Sequence, residues 1–126
     1  MLATAKLVAF VPTRDAARAR TFYETILGLR FLHDDNFALV FDSNGTTIRI
    51  ARVPEFAPFP FTLLGWGVHD IDAAVVSLAA KGVQFNHYGL PGQAPSGVWT
   101  APGGAAKVAW FHDPDGNTLS ISQHQP

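Results

Sequence analysis

The chain contains no cysteine. It can therefore hold no disulfide, thiolate nucleophile, zinc–thiolate site or iron–sulfur cluster. A thiol-free composition fits a reducing compartment, and a cytoplasmic protein is expected. Charge is also scarce. Charged residues make up 15% of the chain, against the usual ~25%, which excludes a disordered acidic or basic tail and a coiled coil. Nine Lys and Arg stand against ten Asp and Glu, for a formal net charge of −1. No basic field exists for nucleic acid, and no polybasic patch for a membrane surface. The uncharged stretch 56–67 is interrupted by Pro58 and Pro60 and is too short to cross a bilayer. The first residues lack the charged-then-apolar run of a signal peptide, so none is expected. What the chain does have is apolar and aromatic surface: 48% hydrophobic residues, with ten Phe, three Trp and two Tyr in 126 residues. That length predicts a single domain, 1–126, able to bury a core without staples.

The apolar pattern runs twice. In the first half, 6–11 is a short apolar run that reads as a buried strand. Thr13 or Asp15 then supplies a helix cap. Ala19, Phe22, Tyr23, Ile26 and Leu27 fall at i, i+3, i+4, i+7 and i+8 and form one apolar helix face. Gly28 stops that helix. Strands are expected at 29–33, 37–42 and 46–53, with a turn at Asp34-Asp35-Asn36. Asn44-Gly45 is a strong hairpin signal because both residues tolerate positive φ. In the second half, 62–68 reads as a strand and Asp70 as a cap. Ile71, Ala74, Val75, Leu78 and Ala79 repeat the helical spacing up to Gly82. Strands are expected at 83–87, 106–112 and 118–122, with a Pro/Gly loop before the second and the turn Asp113-Pro114-Asp115-Gly116 before the third. His124 falls in a terminal tail. Val11 to Asp15 overlays Val68 to Asp72, and Gly28-x-x-Phe31 overlays Gly82-x-x-Phe85. The chain thus reads as an α+β fold of two βαβββ modules, 5–53 and 62–123, joined by a linker over 54–61 that contains Pro54, Pro58 and Pro60.

Three motifs carry a family resemblance. Thr21-Phe22-Tyr23-Glu24 with Ile26-Leu27-Gly28-Leu29, then Val68-His69-Asp70-Ile71-Asp72, then Phe111-His112-Asp113-Pro114-Asp115-Gly116-Asn117 occur in that order. The chain resembles the vicinal oxygen chelate superfamily, which includes glyoxalase I, extradiol dioxygenases and the bleomycin-resistance proteins. The resemblance implies an open, curved-sheet cavity and a homodimer. It also implies four metal-ligand positions, which map here to Val8, Arg49, Leu63 and Ser120. Val and Leu have no lone pair to donate, Arg is a permanent cation, and a lone neutral Ser is a poor ligand. Shifting the alignment by one residue offers Leu7 or Ala9, Ile48 or Ile50, Thr62 or Leu64, and Leu119 or Ile121, none of which restores a ligand set. No cofactor is expected, and no divalent metal.

Among the remaining candidates, His112 stands on the strand that enters the Asp113 turn, where an imidazole suits acid–base work. Ile48 and Ile50 flank Arg49, so strand alternation turns Arg49 to the opposite face. There it is either an anion clamp, with up to five donors for a carboxylate or phosphate, or half of an ion pair with an acid such as Asp42. Trp110 shares a strand face with His112, and Trp99 lies in the Pro/Gly loop; both are candidates to line a pocket. Trp66, Phe111, Tyr88, Phe59 and Phe61 complete an aromatic set that also serves core packing. No phosphate loop, nucleophile elbow or paired-carboxylate site is present. The expected function is metal-independent binding of a small, partly aromatic or anionic molecule, with Arg49, Trp99, Trp110 and Ser120 as ligand-binding residues. The alternative is a lyase, isomerase or dioxygenase with displaced metal ligands, or an enzyme using acid–base catalysis by His112 and Arg49.

Overall fold

Each half of the repeat builds its own four-stranded sheet. The computed structural model describes residues 1–125. The chain divides into two compact units, Met1–Ala57 and Pro58–Pro126, and the division falls inside the proline-bearing stretch 54–61.

The first unit comprises β1 (Val8–Thr13), α1 (Ala16–Arg20), β2 (Arg30–Asp34), β3 (Ala38–Ser43) and β4 (Thr46–Arg52). The sheet order is β1-β4-β3-β2, with β1 parallel to β4 and the other pairs antiparallel. Thr13 and Asp15 act in series at the helix start. The Thr13 hydroxyl accepts from the Asp15 N–H at 3.1 Å, and the Asp15 carboxylate accepts from the Arg18 N–H at 3.1 Å. The expected single helix over 15–27 is not what forms. After Arg20 the backbone widens into a π-helical stretch, Thr21–Ile26, in which the Leu27 N–H donates to the Phe22 carbonyl at 2.9 Å. Phe22 and Tyr23 are buried in this stretch, whereas Ile26 and Leu27 are only half-buried. Gly28 ends the segment at φ +76°. Asn44 and Gly45, both at positive φ, form the β3–β4 hairpin. The core lies on the α1 side of the sheet, where Val11, Tyr23, Phe41, Ile48 and Ile50 are all buried.

The second unit repeats the plan with β5 (Leu64–Gly67), α2 (Ile71–Ala80), β6 (Trp99–Thr100), β7 (Ala106–His112) and β8 (Thr118–His124). Its order, β5-β8-β7-β6, copies the first sheet, and β5 is parallel to β8. Asp70 caps α2 by accepting from the Ala73 N–H at 3.1 Å. Ile71 and Val75 of α2, with Phe85, Ala109, Phe111, Leu119 and Ile121, form this unit's buried side. The strand expected at 83–87 is absent. Phe85 makes an isolated bridge to Phe111, and the edge position beside β7 is taken by Trp99–Thr100 instead. The cause is local. Gln93 accepts from the Tyr88 N–H at 2.9 Å and donates to the Asn86 carbonyl at 2.9 Å. Those backbone groups are then spent on a side chain rather than on a ladder. His124 is also placed differently from expectation: it belongs to β8, opposite Ala106.

Candidate ligand cleft

Alternation along β7 and β8 separates two faces of the second sheet. Phe111, Leu119 and Ile121 are buried with α2, whereas Trp110 and Ser120 pair across the ladder on the other face. Gly65 is the neighbour of Ser120 on its other side. A Cβ at Gly65 would stand 2.7 Å from the Ser120 Oγ, so the glycine is what leaves room for that hydroxyl. Ser120 is buried, yet its hydroxyl forms no hydrogen bond to protein among the described residues.

Beside Trp110 opens a cleft of about 270 Å³, lined by Pro60, Phe61, Thr62, Tyr88, Leu90, Trp110 and Thr118. Its walls are aromatic and aliphatic, with the Thr62 and Thr118 side chains as polar points and no ionisable carboxylate, amine or guanidinium among the lining residues. The Trp110 ring is held edge-on by Tyr88, with centroids 5.5 Å apart, and tilted against Trp99 at 6.0 Å. Trp99 is itself fixed by its indole N–H, which donates to the Pro91 carbonyl at 3.0 Å. The Trp110 indole N–H has no protein acceptor among the described residues. Phe59 and Phe61 stack at 5.1 Å beside the same segment, and the Thr118 hydroxyl donates to the Phe59 carbonyl at 3.4 Å. His112 does not line the cleft. It is exposed, and its Nε2 lies 3.3 Å from the Asn86 amide nitrogen, which also donates to the Tyr88 hydroxyl at 3.1 Å. Trp110, Tyr88 and Phe61 were visible in the sequence as aromatics. Thr62, Leu90 and Asn86 carried no signal, because only the path of 83–98 brings Tyr88, Leu90 and Asn86 to β7.

In the first unit Arg49 is flanked by the buried Ile48 and Ile50 and projects to the opposite face, where it is half-buried. Its partner is Asp35, not Asp42. The guanidinium Nη2 donates to the Asp35 Oδ2 at 2.7 Å, with the two side chains 27% and 32% exposed. Asp35 is positioned for this by its own turn, where its Oδ1 accepts from the Phe37 and Ala38 N–H groups. The Arg49 bond, followed by the Ala38 N–H, lowers the Asp35 pKa. A ligand anion could use Arg49 only by displacing that carboxylate.

The sequence profile of the Glyoxalase/Bleomycin resistance protein/Dioxygenase superfamily matches residues 5–121. The chain belongs to this superfamily. No curated protein sequence matches it, but solved structures do. TnmS3, an antibiotic binding protein from Streptomyces sp. CB03234, is 24% identical with a TM-score of 0.73, over 99% of each chain. A lactoylglutathione lyase from Agrobacterium tumefaciens is 15% identical with a TM-score of 0.71, over 95% of this chain and 93% of that one. A glyoxalase/bleomycin resistance protein/dioxygenase from Alicyclobacillus acidocaldarius is 18% identical with a TM-score of 0.72, over 98% and 93%. At these identities the structures speak for the fold alone. The four residues that the family resemblance maps to ligand positions do not fit a divalent metal. Val8 and Leu63 are partly exposed hydrocarbons, Arg49 is a cation already bonded to Asp35, and Ser120 offers one neutral hydroxyl. Four such groups supply neither the charge nor the lone pairs that a divalent ion needs.

Proposed function

We propose that this superfamily member binds a small, flat, largely aromatic molecule in the cleft of its second unit, without a metal, and holds it rather than transforming it. The observation that carries the reading is Trp110. It is a half-buried indole braced by Tyr88 and Trp99, with an unclaimed N–H, at the wall of a cleft that contains no charged side chain. Such a ring offers stacking area and one donor, which is the combination a planar ligand with a single carbonyl or ether oxygen matches. The cleft's volume of about 270 Å³ suits a two- or three-ring ligand, being at the small end of ligand pockets. The free Ser120 hydroxyl, on the residue paired with Trp110 across the ladder, is a second polar contact for a ligand that reaches along the sheet, and Trp99 supports the stacking surface. Binding of a small molecule has a parallel in TnmS3, whose fold this chain shares and which is an antibiotic binding protein. Catalysis by His112 and Arg49 has less support. The first does not line the cleft, and the second is paired to Asp35.

The test is a fluorescence titration with neutral bicyclic and tricyclic aromatics, read on the tryptophans, with recovery of the added compound. Saturable quenching, unchanged compound, and a loss of affinity of about tenfold or more in Trp110→Ala are expected. Equal affinity in Trp110→Ala would remove the cleft as the site. Elemental analysis of the purified protein should find well under one equivalent of Ni, Zn, Fe or Mn. A full equivalent, with binding abolished by chelator, would overturn the metal-free part.

A further inference from the structure

Tyr88 lines the cleft, and its hydroxyl has one protein partner among the described residues, the Asn86 side-chain amide nitrogen at 3.1 Å. The same nitrogen lies 3.3 Å from the Nε2 of His112. An amide nitrogen only donates. In this arrangement Nε2 must therefore accept, which places the imidazole proton on Nδ1. The Tyr88 oxygen accepts as well, so its own O–H proton remains free for a molecule in the cleft. Turning the Asn86 amide over reverses every one of these roles. The Oδ1 then accepts from an Nε2–H and from the Tyr88 O–H, and Tyr88 is left with only lone pairs to offer a ligand. The amide can turn on a fixed frame. The Asn86 N–H donates to the Trp110 carbonyl at 2.8 Å, and Gln93 ties the Asn86 carbonyl and the Tyr88 N–H, each at 2.9 Å. Gln93 Nε2 also donates to the Gly97 carbonyl at 3.0 Å, closing the loop on itself.

We propose that Asn86 is a specificity-determining residue of the cleft: its amide orientation, set by His112, decides whether Tyr88 presents a hydrogen-bond donor or an acceptor to the ligand. This rests on the binding reading above and deepens it by naming the ligand chemistry. With Nε2 unprotonated the cleft selects an aromatic compound bearing a carbonyl or other acceptor; with the imidazole protonated, when Nε2–H can only donate, it selects an aromatic N–H or O–H. The groups around His112 leave its charge to steer the amide alone. Asn86 and Tyr88 come from the 83–98 segment, and Thr118 lies across the ladder. No charged side chain bonds to His112 among the described residues. Asp113, next in the chain, turns its carboxylate into its own turn, accepting from the Asp115 and Asn117 N–H groups at 2.9 Å.

Three bicyclic compounds of one shape test this by calorimetry: 1-indanone (acceptor), indole (donor) and indane (neither), none of which ionises between about pH 5 and pH 8, the window in which histidine changes charge. The preference for 1-indanone over indole should fall by about three- to tenfold from pH 8 to pH 5, the worth of one neutral hydrogen bond made or lost. Indane affinity should stay flat. Asn86→Ala should abolish the pH dependence of the ratio while still binding indane, Tyr88→Phe should abolish it as well, and Asn86→Asp, an acceptor only, should hold the low-pH preference at both pH values. A ratio independent of pH with all three compounds bound overturns this inference and leaves the cleft standing. Failure of all three to bind overturns the cleft reading and this inference together.

Discussion

At the scale of single residues, two arginine–carboxylate pairs tie β4 to Asp34 and Asp35. Arg52 binds Asp34 through two bonds, 2.8 Å and 2.6 Å, beside the Arg49–Asp35 pair. The Arg52 bond first, and the Asn36 N–H second, bring the Asp34 pKa down from 3.8 to about 2. A carboxyl whose folded pKa is depressed lends stability that is complete above its unfolded value and is lost as pH falls through the folded one. Wild type should therefore be more stable than Arg52→Ala at pH 5, and the gap should close as the pH falls from about 4 towards about 2. Both groups face solvent, so the gap should be small and should shrink in high salt. Thermal melts across that pH range check it; a gap that persists below pH 2 would mean that Arg52 acts through packing instead. For Arg49, the carboxylate partner weakens the clamp expectation. Affinity for 2-naphthoate should be unchanged in Arg49→Ala, and a loss of tenfold or more would show that a ligand anion displaces Asp35. Gly65 and Ser120 make a second pair to test. Gly65→Ala forces a Cβ to 2.7 Å from the Ser120 Oγ and should cost about 1–3 kcal/mol, as overpacking does. Adding Ser120→Ala should recover much of that loss. No recovery in the double variant would place the strain in the backbone rather than at the hydroxyl.

At the scale of elements, the turn over 113–117 is held by one side chain. Asp113 is buried; its Oδ1 accepts from the Asp115 and Asn117 N–H groups, and its Oδ2 from the Asn117 side-chain amide at 2.9 Å. Asp113→Ala strands these donors and should destabilise the protein by about 2–4 kcal/mol, since bonds to a charged acceptor are worth ~1.5–3 kcal/mol each before relaxation and water replacement. A melt shift smaller than that of a surface Asp→Ala change would contradict it. This turn, both helix caps and the Asn44-Gly45 hairpin were legible in the sequence because each is specified by residues within five positions of one another. The same holds for strand alternation around Arg49. What was not legible depended on distant partners. Val83 and Phe85 have the composition of a strand, but Gln93, several residues on, takes the Asn86 carbonyl and the Tyr88 N–H. The widening at Thr21–Ile26 was not legible because periodicity counted on an ideal helix assumes 3.6 residues per turn throughout. The cleft was half legible. Its aromatics were named from composition, whereas the contribution of Leu90 and Asn86 needed the path of the loop.

At the scale of the whole molecule, the remaining question is what covers the first strand. β1 is an edge of its sheet. It and the residue before it expose Leu7 at 73%, Val8 at 41% and Phe10 at 61%. Lone exposed apolar residues need no explanation, but three within four positions on a strand with a free edge are a liability. Natural edge strands protect themselves with lysine, proline, a bulge or a partner. Lys6 and Pro12 stand at the two ends of this run and leave its middle bare. A net charge of −1 gives little repulsion between copies to keep such edges apart. We therefore expect a homodimer in which this strand is covered. Light scattering at micromolar protein should give about twice the 13.6 kDa of one chain, and Phe10→Lys should shift that mass towards the monomer while leaving each chain folded. A wild-type mass of one chain, undiminished in solubility, would show that the exposed strand needs no second copy.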